Sequence, residues 1–169
     1  MFFRTFGYQG SLTFTMYPAV WMRDLPLLQL GHKSYFGDGI LFGTNQISSD
    51  QKHIKVGKIE VGEYTIFDQQ CSIGLNTFIS DNCQFGFRNS IGLRCQIGRD
   101  VRVREMSSIG NCVKIGDGAQ LGQNCIIHDF TVIEPGTKID DGMRIPKFSI
   151  VSNDGIKPRR LASTKLILQ

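Results

Sequence analysis

The chain lacks any run of about 18 apolar residues, so no segment is long enough to span a bilayer as a helix. Its first residues also lack a charged segment followed by an apolar core, and we expect no signal peptide. A strong charge of either sign is absent too, because 19 Lys and Arg face 15 Asp and Glu. The resulting net charge of +4 is too small to indicate a nucleic-acid partner.

Histidines and paired cysteines are scarce. The three histidines are His32, His53 and His128, and their spacing does not suit a zinc site, so we predict no metal. None of the five cysteines belongs to a CxxC pair, which removes the usual thiol-based metal and redox motifs. Unpaired thiols are typical of a reducing compartment, and we expect a cytoplasmic protein.

The chain has instead a strict six-residue period. A helix repeats its face every 3.6 residues and a strand every two, so neither explains a period of six. Such a repeat predicts a parallel β-helix in which three hexapeptides form one triangular coil. The sixteen apolar anchor positions are Val61, Phe67, Ile73, Ile79, Phe85, Ile91, Ile97, Val103, Ile109, Ile115, Leu121, Ile127, Ile133, Ile139, Ile145 and Val151.

Two further positions of the hexapeptide follow the same period. Glycine comes directly after eight of the anchors, and we expect it to supply corner dihedral angles that a Cβ atom would oppose. A mostly small residue stands four positions after each anchor, where a narrow tube has little room. Residues eighteen apart are expected to stack, as Ile97 on Ile115. Four cysteines occupy the small inward position and are expected to be buried: Cys71, Cys83, Cys95 and Cys125.

Segments such as IGRDVR, IGDGAQ and LGQNCI carry an aliphatic residue, then Gly, two free positions and a small residue. This pattern resembles the hexapeptide-repeat acyltransferase superfamily over residues 30–43 and 61–151. The resemblance implies a left-handed parallel β-helix. We therefore predict an all-β fold of about six coils, with an N-terminal aromatic cap and a short C-terminal tail.

The period also divides the chain. Residues 30–155 are assigned to the β-helix and residues 156–169 to a basic C-terminal tail. Residues 1–29 hold seven aromatic side chains, which favours a cap over the open first coil. Contact with a membrane surface, or docking of another domain, is the alternative for this segment. Polar residues 44–58 interrupt the period and predict an extruded loop on a binding face.

The resemblance also implies a chemistry. A histidine acts as general base on a hydroxyl or amine of a small-molecule acceptor, which attacks an acyl thioester of coenzyme A or an acyl carrier protein. His128 is one candidate, with Asp129 beside it to orient the ring. It follows its anchor by one residue, whereas family members with a His–Asp pair carry the histidine two residues after the anchor. His53 in the extruded loop is the second candidate, and His32 is a weaker third. A corner or loop histidine without catalytic function stays open for each.

Basic residues near the last coil hold the nucleotide phosphates in coenzyme A-dependent relatives. Lys157, Arg159 and Arg160 take this place here, with a solvated tail as the alternative. A second basic patch, suited to an acyl carrier protein or to solvated salt bridges, is predicted on adjacent coils from Arg88, Arg94, Arg99, Arg102 and Arg104.

Two classes of function follow. The first is an acyltransferase that works as a homotrimer with acetyl-coenzyme A or another acyl thioester as co-substrate. The second is a non-catalytic β-helix scaffold or a trimerisation or docking module, either on its own or as part of a larger synthetase-like protein. The absence of a histidine in GLNTFISDN, where similar sugar acetyltransferases carry theirs, favours the scaffold. The fold resemblance favours the enzyme.

Overall fold

The computed structural model describes residues 2–159, which wind into a three-sided parallel β-solenoid. Each hexapeptide supplies one short strand that ends near its anchor, and a corner of about four residues leads to the next face. Strands one coil apart pair in parallel, so three sheets form the walls of the tube. The predicted all-β solenoid class is confirmed.

The three walls are named here sheets A, B and C. Sheet A contains β1 (Thr15–Met16), β3 (Tyr35–Phe36), β8 (Ile66–Phe67), β11 (Gln84–Phe85), β14 (Arg102–Val103), β17 (Gln120–Leu121) and β20 (Lys138–Ile139). Sheet B contains β4 (Leu41–Gly43), β9 (Ser72–Gly74), β12 (Ser90–Ile91), β15 (Ser108–Ile109), β18 (Ile126–Ile127) and β21 (Arg144–Ile145). Sheet C contains β2 (Leu28–Leu30), β7 (Ile59–Val61), β10 (Thr77–Ile79), β13 (Gln96–Ile97), β16 (Lys114–Ile115), β19 (Val132–Ile133), β22 (Ser149–Ser152) and β23 (Gly155–Pro158).

The remaining elements lie outside these walls. Helix α1 (Phe2–Thr5) and a 3-10 turn (Leu25–Leu27) belong to the N-terminal segment. Strands β5 (Asn45–Ile47) and β6 (Ile54–Val56) form a separate antiparallel hairpin. Between residues 2 and 159 no helix is long and apolar enough to cross a membrane.

The anchors fill the tube in the predicted register. Ile97 pairs with Ile79 above and Ile115 below, each eighteen residues away. Ile91 and Ile109 are neighbours in the same way on sheet B. All sixteen anchors are buried, because each points inward from its strand. The first turns are filled by rings, and Phe67 stacks on Phe85 with centroids 4.5 Å apart.

The N-terminal segment adds solenoid structure that the sequence analysis did not predict. Strand β1 pairs in parallel with β3, and Trp21 forms a bridge to Leu41 on sheet B. Above sheet C the Tyr8 hydroxyl accepts from Leu30 N at 3.1 Å and donates to Leu30 O at 3.2 Å. Residues 8–21 thus satisfy the open edge of the coil below them. The solenoid therefore has about eight turns rather than the six predicted.

Most of the small inward residues link successive coils by hydrogen bonds; the exceptions Val101, Val113 and Ala119 only fill space. Thr77 Oγ1 donates to Gly92 O at 3.0 Å and accepts from Cys95 N at 3.2 Å. Cys95 Sγ in turn donates to Gly110 O at 3.1 Å. Asn89 Oδ1 accepts from Ser107 N at 2.8 Å. These residues are small for packing, and they are Thr, Cys, Ser or Asn because a corner carbonyl one coil on needs a donor.

The glycines after the anchors serve a different purpose from the one predicted. Left-handed φ angles occur three residues after the anchors, for example at Asn82, Arg94 and Phe130, and not at these glycines. A Cβ atom on Gly92 would lie 2.6 Å from the backbone of Gly110 in the next coil. The corners of adjacent coils approach too closely for a side chain, so the expectation about corner dihedral angles was wrong.

Candidate functional site at the edge between sheets B and C

One edge of the prism carries most of the described candidate residues. The chain turns from sheet B to sheet C through corners 110–113, 128–131 and 146–148, and the β5–β6 hairpin leaves the first full coil at the same edge. His53 lies in the turn of the hairpin. The hairpin leaves the solenoid after β4, which lies four coils from β18 and His128, or about 19 Å along the axis at 4.8 Å per coil. Arg159 joins the lower end of this edge.

The imidazole of His128 is exposed on the B–C edge. Its backbone N–H donates to Ile145 O at 3.0 Å, and its carbonyl accepts from Thr131 Oγ1 at 2.7 Å, which fixes the backbone of the corner. Within the described chain the ring itself has no hydrogen-bond partner. A neutral imidazole in this state retains one free acceptor nitrogen, which is what a general base requires.

Asp129 does not orient the His128 ring. Its Oδ1 accepts from Asn111 N at 2.6 Å, and its Oδ2 accepts from Asn111 Nδ2 at 3.4 Å. The same bond recurs one coil higher, where Asn111 Oδ1 accepts from Leu93 N at 2.9 Å. Asp129 therefore belongs to a ladder that holds successive corners together, and the structure does not form the expected His–Asp pair.

The ladder stops below Asp129, because the next residue of the column is Lys147, which carries no acceptor. Over residues 2–159 no acceptor meets the backbone N–H of Asp129. A free N–H directly after an exposed imidazole is the kind of donor that stabilises an oxyanion. The sequence analysis did not identify the N–H of Asp129. The four residues spaced eighteen apart at this corner indicate it, because the side-chain acceptors end at Lys147: Leu93, Asn111, Asp129 and Lys147.

His53 lies in the turn of the hairpin and is largely exposed. Its Nδ1 lies 3.4 Å from Asp50 Oδ2, and its backbone N–H donates to Ser48 Oγ at 3.1 Å. The ring is thus held by its own turn. His32 lies on a different edge, between sheets C and A, where Thr13 Oγ1 binds its Nδ1 and Tyr64 packs edge-on against the ring.

The predicted anion-binding residues separate into three situations. Arg159 donates its backbone N–H to Phe148 O at 2.7 Å and its Nη1 to Phe130 O at 3.2 Å, which places the guanidinium two residues from His128 along the same edge. Lys157 is exposed on β23, which pairs antiparallel with β22 and closes the lower end of sheet C. Arg160 lies outside the described residues.

Two of the five arginines of the predicted basic patch are paired with carboxylates. Arg104 Nη1 lies 3.2 Å from both carboxylate oxygens of Asp141, and Arg99 Nε lies 4.0 Å from Asp81 Oδ2. Arg88 donates to Gln70 Oε1 at 2.7 Å. These exposed pairs each contribute little to stability. Arg102 Nη1 donates to the Asn82 carbonyl, and the basic patch as a binding surface stays a prediction. The described residues contain no group of three His, Cys, Asp or Glu arranged to hold a metal.

No protein-family model and no curated protein sequence matches the chain. Several solved structures are similar to it. The UDP-N-acetylglucosamine acyltransferase LpxA from Bacteroides fragilis is 14% identical with a TM-score of 0.49, and the match covers 86% of this chain and 57% of that one. LpxA from Acinetobacter baumannii is 18% identical with a TM-score of 0.47, over 84% of this chain and 70% of that one.

A perosamine N-acetyltransferase from Caulobacter crescentus, solved as a variant with CoA and GDP-perosamine, is 14% identical with a TM-score of 0.38. That match covers 88% of this chain and 54% of the other. The chain thus spans little more than half the length of two of these three proteins. Residues 2–159 form a parallel β-solenoid, and the six-residue repeat of the sequence resembles that of the hexapeptide-repeat acyltransferases.

Proposed function

We propose that the chain is an acyltransferase whose reaction takes place on the B–C edge. The observation that carries the proposal is the combination of an exposed, unengaged imidazole on His128, the free N–H of Asp129 beside it and the Arg159 guanidinium on the same edge. These groups supply a base, an oxyanion donor and an anion contact, which are the three functions that acyl transfer from an acidic thioester carrier needs.

In the proposed reaction these groups move one proton and stabilise one negative charge. His128 removes the proton from an acceptor hydroxyl or amine, whose oxygen or nitrogen forms a bond to the thioester carbonyl carbon. The carbonyl oxygen becomes negative and accepts the Asp129 N–H. The C–S bond then breaks, and the departing thiolate takes the proton from the imidazolium. Arg159 binds phosphate of the donor through the guanidinium nitrogens that Phe130 O does not use.

The remaining parts of the proposal concern donor and assembly. Coenzyme A and an acyl carrier protein share a phosphopantetheine thioester, and either serves as donor. Exposed Lys157 at the lower end of sheet C adds a second cation for the phosphates. A homotrimer supplies a cleft beside the B–C edge, because flat solenoid faces pack side by side. On sheet B, in the coils before His128, the small side chains of Ser72, Ser90 and Ser108 are stacked. We place the protein in the cytoplasm.

Binding of the acyl donor is the first part of the proposal to be tested. Acetyl-coenzyme A at 100 times its Kd is expected to raise the free energy of unfolding by about 2.7 kcal/mol. Arg159→Ala is expected to weaken binding at least tenfold in isothermal titration, since a charge-assisted contact is lost. Arg88→Ala, an arginine on another edge, is the matched control and retains the affinity.

Turnover tests the second half. Release of free coenzyme A thiol is followed with a panel of amino sugars and polyols as acceptors. His128→Ala is expected to lower kcat/KM by a factor of 10² to 10⁴ with unchanged donor affinity, whereas His53→Ala changes it far less. Equal loss in both variants, or in neither, contradicts the role given to His128. Absence of donor binding in the wild type contradicts the enzyme altogether and leaves the scaffold as the function.

A further inference from the structure

The N-terminal end of the solenoid exposes an aromatic surface that the proposed chemistry does not use. The rings of Phe2 and Phe6 lie 4.8 Å apart and are exposed. They line an open groove of about 600 Å³ together with Met22 and Arg23. Trp21 follows next, 56% exposed, with the Arg23 guanidinium 6.0 Å from its ring. Large apolar side chains are costly to leave in water, so this surface indicates a binding partner.

The hairpin exposes a second apolar surface. Ile47 pairs with Ile54, and Val56 follows Ile54 on the same face by strand alternation. These side chains are 60%, 72% and 61% exposed. An isolated two-stranded hairpin is only marginally stable in water, and this one offers its apolar face to solvent. Arg23 Nη2 donates to Asn45 Oδ1 at 3.4 Å, so the hairpin joins the aromatic surface at its base.

The charge of this end is as uneven as its hydrophobicity. Residues 2–58 contain six Lys and Arg but only three Asp and no Glu. Residues 59–159 contain eleven Lys and Arg against twelve acids. Arg23 lines the groove together with Asp24, and Lys52, Lys55 and Lys58 lie in or next to the hairpin, whose turn contains the single acid Asp50. Exposed aromatic and aliphatic side chains among basic residues match the interface of an anionic bilayer, where rings enter the headgroup region and cations meet lipid phosphates.

We infer that the N-terminal end, made of the Phe2–Phe6 groove, Trp21 and the β5–β6 hairpin, docks the protein on anionic lipid surfaces. The docking is peripheral and reversible, with Ile47, Ile54 and the rings in the headgroup layer. It orients the solenoid with its axis away from the membrane, so that His128 lies about 19 Å further from the membrane than the base of the hairpin. The inference does not depend on acyl transfer.

Trp21 reports directly on this docking, because it is the only tryptophan of the chain. The full chain is sedimented with vesicles of phosphatidylcholine containing 30% phosphatidylglycerol, and with phosphatidylcholine alone. Binding to the anionic vesicles is expected, with a blue shift of Trp21 emission and quenching by lipids brominated on their chains. Binding is expected to weaken strongly in 1 M salt, where the Debye length falls to about 3 Å.

Paired variants test the two contributions. Lys52→Gln with Lys58→Gln is expected to weaken binding about 25-fold, or about fivefold per charge, whereas Lys114→Gln with Lys138→Gln on the walls has little effect. Ile47→Ser with Ile54→Ser is expected to abolish the Trp21 blue shift, and the exposed pair Ile66→Ser with Ile156→Ser preserves it. Circular dichroism confirms that each variant is folded, and the salt dependence of the wild type tests the inference without any variant.

Three results overturn the inference. The first is failure of the wild type to sediment with anionic vesicles. The second is sedimentation without a change in Trp21 emission, which places contact elsewhere. The third is loss of binding that is equal in the Ile47/Ile54 and Ile66/Ile156 variants. If light scattering instead shows self-association that Ile47→Ser and Ile54→Ser remove, and no vesicle binding, a second copy covers this surface and the lipid assignment is wrong.

Discussion

The hydrogen bonds inside the tube predict a measurable loss of stability when one hydroxyl is removed. Thr77→Val keeps the volume and the β-branched shape of the side chain but removes its Oγ1. Thr77 is buried, and that oxygen bonds Gly92 O at 3.0 Å and Cys95 N at 3.2 Å. The buried N–H of Cys95 and the partly exposed carbonyl of Gly92 then lose this partner, at about 1 to 1.5 kcal/mol each. The free energy of unfolding is therefore expected to fall by about 2 to 3 kcal/mol.

Urea unfolding followed by circular dichroism measures this change, and amide hydrogen exchange at Cys95 reports it locally. Thr15→Val on the exposed side of β1 is the matched control and is expected to change stability by less than about 0.5 kcal/mol. If Thr77→Val and Thr15→Val have the same effect, the inward hydroxyls only fill space and their bonding function is refuted. Unchanged exchange at Cys95 would lead to the same conclusion.

Three further predictions follow from the same interior. Burial raises the pKa of the Cys95 thiol from 9.0 to about 11. The unfolded chain therefore loses this proton first, and stability falls as the pH rises from about 9 to 11, by at most about 2 to 3 kcal/mol. Urea titrations at both pH values are expected to show a smaller fall in Cys95→Ala. Cys112, on the corner and partly exposed, is expected to react with a disulfide reagent at pH 8 well before the four buried thiols, and Cys112→Ser removes the fast phase in an absorbance assay. Gly92→Ala is expected to lower the unfolding midpoint more than Gly86→Ala, because the nearest atoms to the new Cβ lie at 2.6 Å and 3.1 Å respectively; equal midpoints would contradict the close-approach explanation.

The sequence predicts the three sheets of this solenoid well, because each anchor marks the strand that carries it. A period of six with an inward aliphatic residue has one efficient way to bury that residue, and the pairing of Ile97 with Ile115 follows from it. The N-terminal coil was missed because β1 and Trp21 pair through backbone groups, without an anchor of the repeat. Backbone pairing of this kind leaves no periodic signal in the side chains.

The sequence predicted which residues form the candidate site, but it did not predict their hydrogen-bond partners. His128 and Arg159 were found from the sequence, and the structure brings both to one edge. The bond from Asn111 to Asp129 was not foreseen, because a carboxylate beside a histidine in sequence was assumed to face it. In a solenoid the neighbour that matters lies eighteen residues away rather than one. The exposed hairpin face was also missed, since loop residues 44–58 were classed as polar although they include Ile47 and Ile54.

The fixed register of the coils has a consequence for how this architecture can change. The hairpin and His128 are separated by whole coils, and each coil adds about 4.8 Å with the same orientation of its three faces. Insertion or deletion of eighteen residues would therefore change the distance between the proposed lipid-docking end and the proposed reactive edge by one coil at a time, and would keep both on the same faces. The number of coils would set the height of the edge above the membrane, and the residues of the corners would set its chemistry, so the two properties could change independently.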